Sequence, residues 1–164
     1  MPDQISYTQA SDADLAHLPA IEAAAAQRFP RHLVPDPDAT LSTEAFREAL
    51  EAGLLLVASS AKTPVGFSVS RRIEGYLHLE EVSVHPSYGR RGIGRRLVEM
   101  VIETARGEQL DGVTLTTFAS IPWNAPFYRG LGFSADNPPQ FLQKILETER
   151  LSMDDRVALV LRGC

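Results

Sequence analysis

The stretch Val82–Val98 reads VSVHPSYGRRGIGRRLV and connects a predicted strand to a predicted helix through a turn rich in glycine and arginine. Val82 and Val84 alternate as strand residues do, and Pro86 ends the strand because proline has no N–H for the ladder. Apolar residues then recur at helical spacing, so we expect a helix that begins within the glycines. These apolar residues are Ile93, Leu97, Val98, Val101, Ile102 and Ala105.

The predicted helix start has the features of a phosphate site. Gly89, Gly92 and Gly94 leave backbone N–H groups uncovered by side chains, and the helix dipole places partial positive charge at the same end. Further positive charge comes from Arg90, Arg91, Arg95 and Arg96. The turn lacks the GK[ST] ending of a P-loop and the GxGxxG order of a dinucleotide fold. It therefore predicts a different pyrophosphate site, with a solvated basic turn as the alternative.

A second segment, residues 116–133, reads TTFASIPWNAPFYRGLGF. Asn124, followed by Ala125 and Pro126, is typical of a helix start, because asparagine caps helices and proline fits the first turn. Tyr128 lies in the short helix predicted after it. Without further information, this tyrosine is equally well explained as a half-buried core residue.

Together the two segments resemble the GNAT N-acetyltransferase superfamily. GRRGIG matches its acetyl-CoA signature [QR]xxGx[GA], except that Gly89 stands where Gln or Arg is usual, and FYRGLGF matches its FY-x-x-x-GF run. The resemblance implies an α+β fold, a mixed β-sheet flanked by helices in one domain over residues 1–164. It also implies acetyl transfer from acetyl-CoA to a primary amine by direct attack.

The resemblance further implies which residues contact the donor. The backbone of Val82–Val84 would pair with the pantetheine arm, and Tyr128 would donate a proton to the departing thiolate. Related sequences place an asparagine seven residues before this tyrosine, whereas Asn124 is four before it, so helix capping is the alternative role. The predicted acetyl-CoA contacts are Val82, Ser83, Val84, Gly89, Arg90, Arg91, Gly92, Ile93, Gly94, Arg95, Asn124 and Phe127.

Two adjacent carboxylates, Glu80 and Glu81 in HLEEVSV, are the candidates for handling the acceptor. A free alkyl ammonium has a pKa near ~10 and must lose a proton before it attacks. Neighbouring strand residues point to opposite faces, so we assign Glu81 to acceptor binding and Glu80 to proton relay. Solvated strand glutamates are the alternative, and a β-bulge would change which face each one takes.

Aromatic side chains are candidates for the walls of the acceptor pocket, namely Phe29 and Trp123. A covalent intermediate is not expected, because there is no G-x-S-x-G nucleophile elbow and the only cysteine, Cys164, is terminal. His85 follows the strand end but is given only a minor chance of a direct role. No Cys/His cluster has the spacing of metal ligands, so no metal is expected.

Composition narrows the partners. The chain has 164 residues and a formal net charge of −5, which argues against broad nucleic-acid binding. No apolar run is long enough for a membrane span, and the N-terminus lacks a secretion signal, so we expect cytoplasmic residence. A homodimer is left open. A small amine is the favoured acceptor; a protein amino group and a non-catalytic acyl-CoA sensor are the alternatives.

The predicted element order is mixed. A capping box at Ser11 and Asp14 should begin the first helix, whose inner face extends to Phe29. Helices are also predicted over residues 43–52, 124–130 and 140–151, besides the one that follows the glycines. Strands are predicted over residues 5–9, 53–59, 65–71, 76–84, 112–118 and 156–162, with a further strand start at 132–135.

Overall fold

A computed structural model of the chain describes residues 4–163. Its strands form one six-stranded sheet in chain order, so β1 lies at one edge and β6 at the other. The β1–β2, β2–β3 and β5–β6 pairs are antiparallel, whereas β4 and β5 are parallel. The predicted mixed sheet is confirmed. The strands are β1 (Ile5–Gln9), β2 (Leu55–Ser60), β3 (Thr63–Ile73), β4 (Tyr76–Val84), β5 (Gly112–Phe118) and β6 (Arg156–Arg162).

The α-helices lie in the predicted order, with shifted ends. The first prediction missed a 3₁₀ helix, Asp12–His17, in which the Asp14 carboxylate accepts the N–H of Ser11 at 2.9 Å. The α-helix that follows ends at Ala26, so Phe29 lies in the turn beyond it. The helices are α1 (Leu18–Ala26), α2 (Thr43–Glu51), α3 (Ile93–Gly107), α4 (Ala125–Gly130) and α5 (Gln140–Arg150).

The strand start predicted at residues 132–135 is wrong in extent. Only Ser134 pairs, through an isolated bridge to Val160 with N–H···O distances of 2.9 and 2.8 Å. The chain leaves the sheet soon after, because Asn137 has a φ of +54° and two prolines follow it. Ladder pairing requires extended backbone and free N–H groups, and this segment soon offers neither.

The described residues form two compact units, and the first contains residues up to Arg71 together with Glu81–Met100. Its core lies where α1 and α2 pack on β2 and β3, with the rings of Phe46 and Phe67 5.4 Å apart. The opposite sheet face carries Gly66. A Cβ there would lie 3.1 Å from the Ser83 carbonyl oxygen and 3.4 Å from Ile93, so the start of α3 sits close against the sheet.

The second unit contains Arg72–Glu80 and the described chain from Val101 onward. Leu142 of α5 packs on β6, and Phe141 contacts the ring of Tyr76 at 5.8 Å. The β4–β5 ladder has three residue pairs and ends where His78 pairs with Thr114. The buried His78 Nδ1 and Thr114 Oγ1 lie 2.9 Å apart. That the whole chain is one domain stays a prediction.

Candidate functional site

The site begins in the first unit, where β4 ends. The N–H of His85 donates to the Val65 carbonyl at 2.8 Å, which holds the strand end against β3. The His85 Nδ1 accepts the N–H of Ser87 at 3.1 Å and so caps a short 3₁₀ helix, Pro86–Tyr88. This histidine therefore shapes the turn after β4, which explains its position without a catalytic role.

The turn after that 3₁₀ helix leads directly into α3. Arg90 has a φ of +63° and Gly92 a φ of +75°, so both adopt the left-handed region that favours glycine. The bond from Arg96 N–H to the Gly92 carbonyl, 3.0 Å long, belongs to the first turn of α3. Amides that precede this bond have no carbonyl one helical turn earlier to pair with. The prediction that the helix begins within the glycines is confirmed.

Gly94 is a glycine that the packing of the described residues does not demand. A Cβ at this position would meet only Val84 and Val82 side-chain atoms, at 3.8 and 4.0 Å, which is ordinary contact. A Cβ at Gly92 would meet nothing within 4 Å among the residues that the structure describes. Glycine inside a helix costs up to about 1 kcal/mol relative to alanine. Bare amides at a helix start are the feature that phosphate binding uses.

The arginines around the turn have different surroundings. Arg95 and Arg96 lie 3.3 and 3.9 Å from the Glu99 carboxylate, which offsets part of their charge. The Arg91 guanidinium lies 5.0 Å from the centre of the Tyr88 ring, a cation–π contact that orients it. The sequence analysis did not single out Tyr88, although its position three residues before Arg91 in the turn could have pointed to it.

A carboxyl pair lies beside the turn in the same unit. The Glu81 carboxylate accepts the Ser83 hydroxyl at 3.3 Å, and the side chain of Glu22 is hydrogen-bonded to that of Glu81. Glu22 Oε1 also accepts the N–H of Leu41 at 2.9 Å. Burial raises the pKa of Glu22, while the hydrogen bonds from Leu41 and Glu81 oppose that rise.

Sequence reasoning missed Glu22. The available signal was its position as the only charged residue in α1, LPAIEAAAA, directly after the buried Ile21. A carboxylate on an otherwise apolar helix needs polar partners when the helix packs, because an unpaired buried charge is costly.

In the second unit, Asn124 directly precedes α4 but does not cap it with its side chain. Its Nδ2 donates instead to the Thr117 hydroxyl of β5 at 2.9 Å. The buried Oδ1 has no hydrogen-bond partner within residues 4–163. The capping role considered for this side chain is therefore wrong, and a buried acceptor is left for a donor from outside the chain.

Tyr128 lies on α4 between two other aromatic rings. The ring centres of Phe127 and Phe133 are 5.1 and 5.7 Å from that of Tyr128, in edge-to-face geometry. This packing fixes the tyrosine ring on a half-buried helix. Trp123, just before the helix, is 41% exposed.

The predicted site residues are divided between the two units. The first unit holds Phe29, Glu81 and the segment from Val82 to Arg95, whereas the second holds Glu80, Trp123, Asn124, Phe127 and Tyr128. In the described part of the chain, no group of three or more His, Cys, Asp or Glu residues could hold a metal ion. Cys164 lies outside the described residues. No helix within residues 4–163 is long and apolar enough to cross a membrane.

Comparison with known proteins gives a family and a fold. The family model described as "Acetyltransferase (GNAT) family" matches residues 19–133. PaiA N-acetyltransferase from Thermoplasma acidophilum, solved with coenzyme A, is 15% identical with a TM-score of 0.74, over 98% of this chain and 99% of that one. The ribosomal-protein-S18-alanine N-acetyltransferase from Escherichia coli is 19% identical with a TM-score of 0.69, over 97% and 94%.

A third solved structure is N-acetylglutamate synthase from Neisseria gonorrhoeae, with coenzyme A and N-acetyl-glutamate. It is 18% identical with a TM-score of 0.71, over 99% of this chain and 36% of that longer one. At these identities the structures establish the likeness of fold. The family match covers well over half of the chain.

Proposed function

Because the chain belongs to the acetyltransferase (GNAT) family, we propose that it transfers the acetyl group of acetyl-CoA to a primary amine. The amine nitrogen attacks the thioester carbonyl directly, without a covalent enzyme intermediate. The observation that carries this proposal is the start of α3, where a left-handed turn leads into amides beside a glycine that packing does not require. Two of the solved structures contain coenzyme A, which supports the same ligand class here.

The residues of both units fit such a donor. The amides at the start of α3, with the arginines of the turn, suit a pyrophosphate because they combine hydrogen-bond donors and positive charge. The backbone of Val82–Val84 follows the last β4–β5 ladder pair at His78, and we assign it to the pantetheine arm. The unpaired Oδ1 of Asn124 can accept an amide N–H from the same arm. When bound, acetyl-CoA supplies an activated acyl group and a thiolate leaving group.

Tyr128 is the proposed acid. A thiol has a pKa near ~8.5 and a phenol near ~10, so proton donation from tyrosine to a thiolate is slightly uphill and its contribution is moderate. The ring contacts with Phe127 and Phe133 keep the hydroxyl in one position, which a proton donor requires.

The acceptor side is assigned to the carboxylates of β4. Glu81 would bind the ammonium form of the amine, and Glu80 would relay its proton. A small amine is favoured because two carboxylates and a net charge of −5 attract a cation. The related structures differ in acceptor, since one is named for the alanine of a ribosomal protein and another for N-acetylglutamate synthesis. The acceptor class is therefore proposed from this chain's own residues.

A panel assay tests the proposal. Purified protein is incubated with acetyl-CoA and one of ethanolamine, putrescine, spermidine, L-glutamate or an alanine-initiated peptide, while thiol release is followed and products are identified by mass spectrometry. The proposal expects N-acetylation of a small cationic amine. Preferential acetylation of the peptide would replace that acceptor class with a protein amino group. Tight acetyl-CoA binding with no acetylated product would indicate a sensor instead.

A further inference from the structure

The Glu22–Glu81 pair joins three segments of the first unit. Glu22 lies on α1, Glu81 on β4, and Leu41 in the loop before α2, and the Glu22 carboxyl contacts both of the others. Both glutamates are half-buried. Of the two, Glu81 already has a proposed role, as the group that binds the acceptor, whereas Glu22 has none.

Hydrogen-bonding chemistry restricts the charge of this pair. An ionised carboxylate only accepts hydrogen bonds, so a bond between two carboxyl groups requires a proton on one of them. The N–H of Leu41 occupies Glu22 Oε1, which leaves the other Glu22 oxygen for the bond to Glu81. Two half-buried carboxyls in contact also repel each other when both are ionised, which further favours a shared proton. The pair therefore carries one negative charge instead of two.

We propose that Glu22 is a positioning residue: by sharing a proton with Glu81, it fixes the orientation of that carboxyl and makes the pair present a single negative charge to the acceptor's amino group. This inference rests on the proposed function, because Glu81 binds the acceptor only if the chain is an amine acetyltransferase. One negative charge matches one ammonium group, so the reacting end of the acceptor is a primary ammonium and not a cluster of charges.

A purely structural explanation competes with this role, since Glu22 could only tie α1 to the loop at Leu41. Glu22→Gln and Glu22→Met separate the two. The glutamine variant keeps a carbonyl for the Leu41 N–H and an NH₂ group that donates to Glu81, so it imitates the protonated acid. The methionine variant has a similar length but makes neither hydrogen bond. Glu48→Met, at an exposed position on α2, is the matched control.

With the best amine of the panel, we expect Glu22→Gln and Glu48→Met to keep the acceptor KM within about threefold of the parent. Glu22→Met should raise that KM about 10-fold or more and leave acetyl-CoA affinity unchanged, because a hydrogen bond to a charged group contributes about 1.5–3 kcal/mol. An unchanged acceptor KM in Glu22→Met would overturn the proposal. So would a loss in Glu22→Gln as large as that in Glu22→Met.

A second measurement does not depend on turnover. Carboxyl carbon NMR shifts of Glu22, followed from acid to neutral pH, should show a lower titration midpoint in Glu81→Gln than in the parent, because the substitution removes a neighbouring negative charge. An unchanged midpoint would show that no proton is shared. If the midpoint shifts but no amine of the panel is acetylated, the proposed function fails while the shared proton stands, so the two failures are distinguishable.

Discussion

The side-chain amide of Asn124 donates to the hydroxyl of Thr117 at 2.9 Å, so the residue that precedes α4 is anchored to β5 and not to its own helix. This bond uses the NH₂ group and leaves the buried carbonyl oxygen without a partner in residues 4–163. An unpaired buried acceptor costs stability unless something else satisfies it. A ligand amide would do so, which links this contact to the proposed pantetheine site.

Asn124→Ala should therefore weaken acetyl-CoA binding about 10-fold, the size of one net hydrogen bond, while stability changes by less than about 1 kcal/mol. Thr117→Val is the comparison, because it removes the anchor but keeps the carbonyl, and its effect on binding should be smaller. Calorimetric titration and urea unfolding measure the two quantities. Parental affinity in Asn124→Ala would exclude this residue from the donor site.

The α3 turn gives a second prediction. Gly92→Val and Gly94→Val should abolish acetyl-CoA binding in a folded domain, because a branched side chain would cover the amides that a phosphate needs. Gly92→Val should also be less stable, since Gly92 has a φ of +75°. Gly107→Val, at the other end of α3 and with nothing within 4 Å of its Cβ among described residues, is the control. Normal titration curves for both turn variants would show that the turn binds no donor.

Tyr128→Phe should lower kcat roughly 10²-fold, the lower end for a positioned acid, with little change in acetyl-CoA affinity. The ring and its contacts with Phe127 and Phe133 are kept, so the variant should fold as the parent does. Tyr76→Phe, whose ring packs on Phe141, serves as the control for loss of a tyrosine hydroxyl elsewhere. Full turnover of Tyr128→Phe under conditions where chemistry limits the rate would remove it from the mechanism.

The two β4 glutamates should separate by their kinetic effects. Glu81→Gln is expected to raise the acceptor KM and leave kcat, as a lost binding contact does. Glu80→Gln is expected to lower kcat and to regain rate as pH rises, because free amine then accumulates without help. pH–rate profiles of both variants and of the double variant measure this. A double variant with the parental profile would identify both as solvated strand residues.

The raised pKa of Glu22 predicts how stability depends on pH. Its folded pKa lies above the ordinary value of 4.5, mainly through burial, so the folded state binds the proton more tightly than the unfolded chain. The stabilisation is complete below pH 4.5 and is lost as pH rises through the folded pKa. Glu22→Gln should thus gain stability relative to the parent between acid and neutral pH. Urea unfolding at both ends of this range would contradict it if the difference stayed constant.

Local signals predicted most of the fold. The alternation over residues 76–84 and 156–162 gave strands with the bounds that the structure shows, and the periodicity after Gly92 gave α3. The 3₁₀ helix before α1 was missed because its capping box is the same as that of an α-helix. The single bridge at Ser134 was overestimated because alternation does not report where the chain must turn.

The site was less predictable where contacts are distant in sequence. The glycine turn is a local feature, and its conformation agrees with the prediction. Glu22 and Glu81 are far apart along the chain, and only packing of α1 near β4 brings their carboxyls together. The role of Asn124 depended on which neighbour its amide selects, and Thr117 competes successfully with the helix N-terminus.

Direct observation of the reaction tests the central claim most closely. The parent and Tyr128→Phe are each mixed with acetyl-CoA and the amine panel, and thiol release is compared with the amount of N-acetylated product. The account predicts equal amounts of thiol and N-acetyl amine from the parent, at a rate that falls roughly 10²-fold in Tyr128→Phe. Thiol release without an acetylated amine, or no release although acetyl-CoA binds, would contradict the assignment of this chain as an amine acetyltransferase.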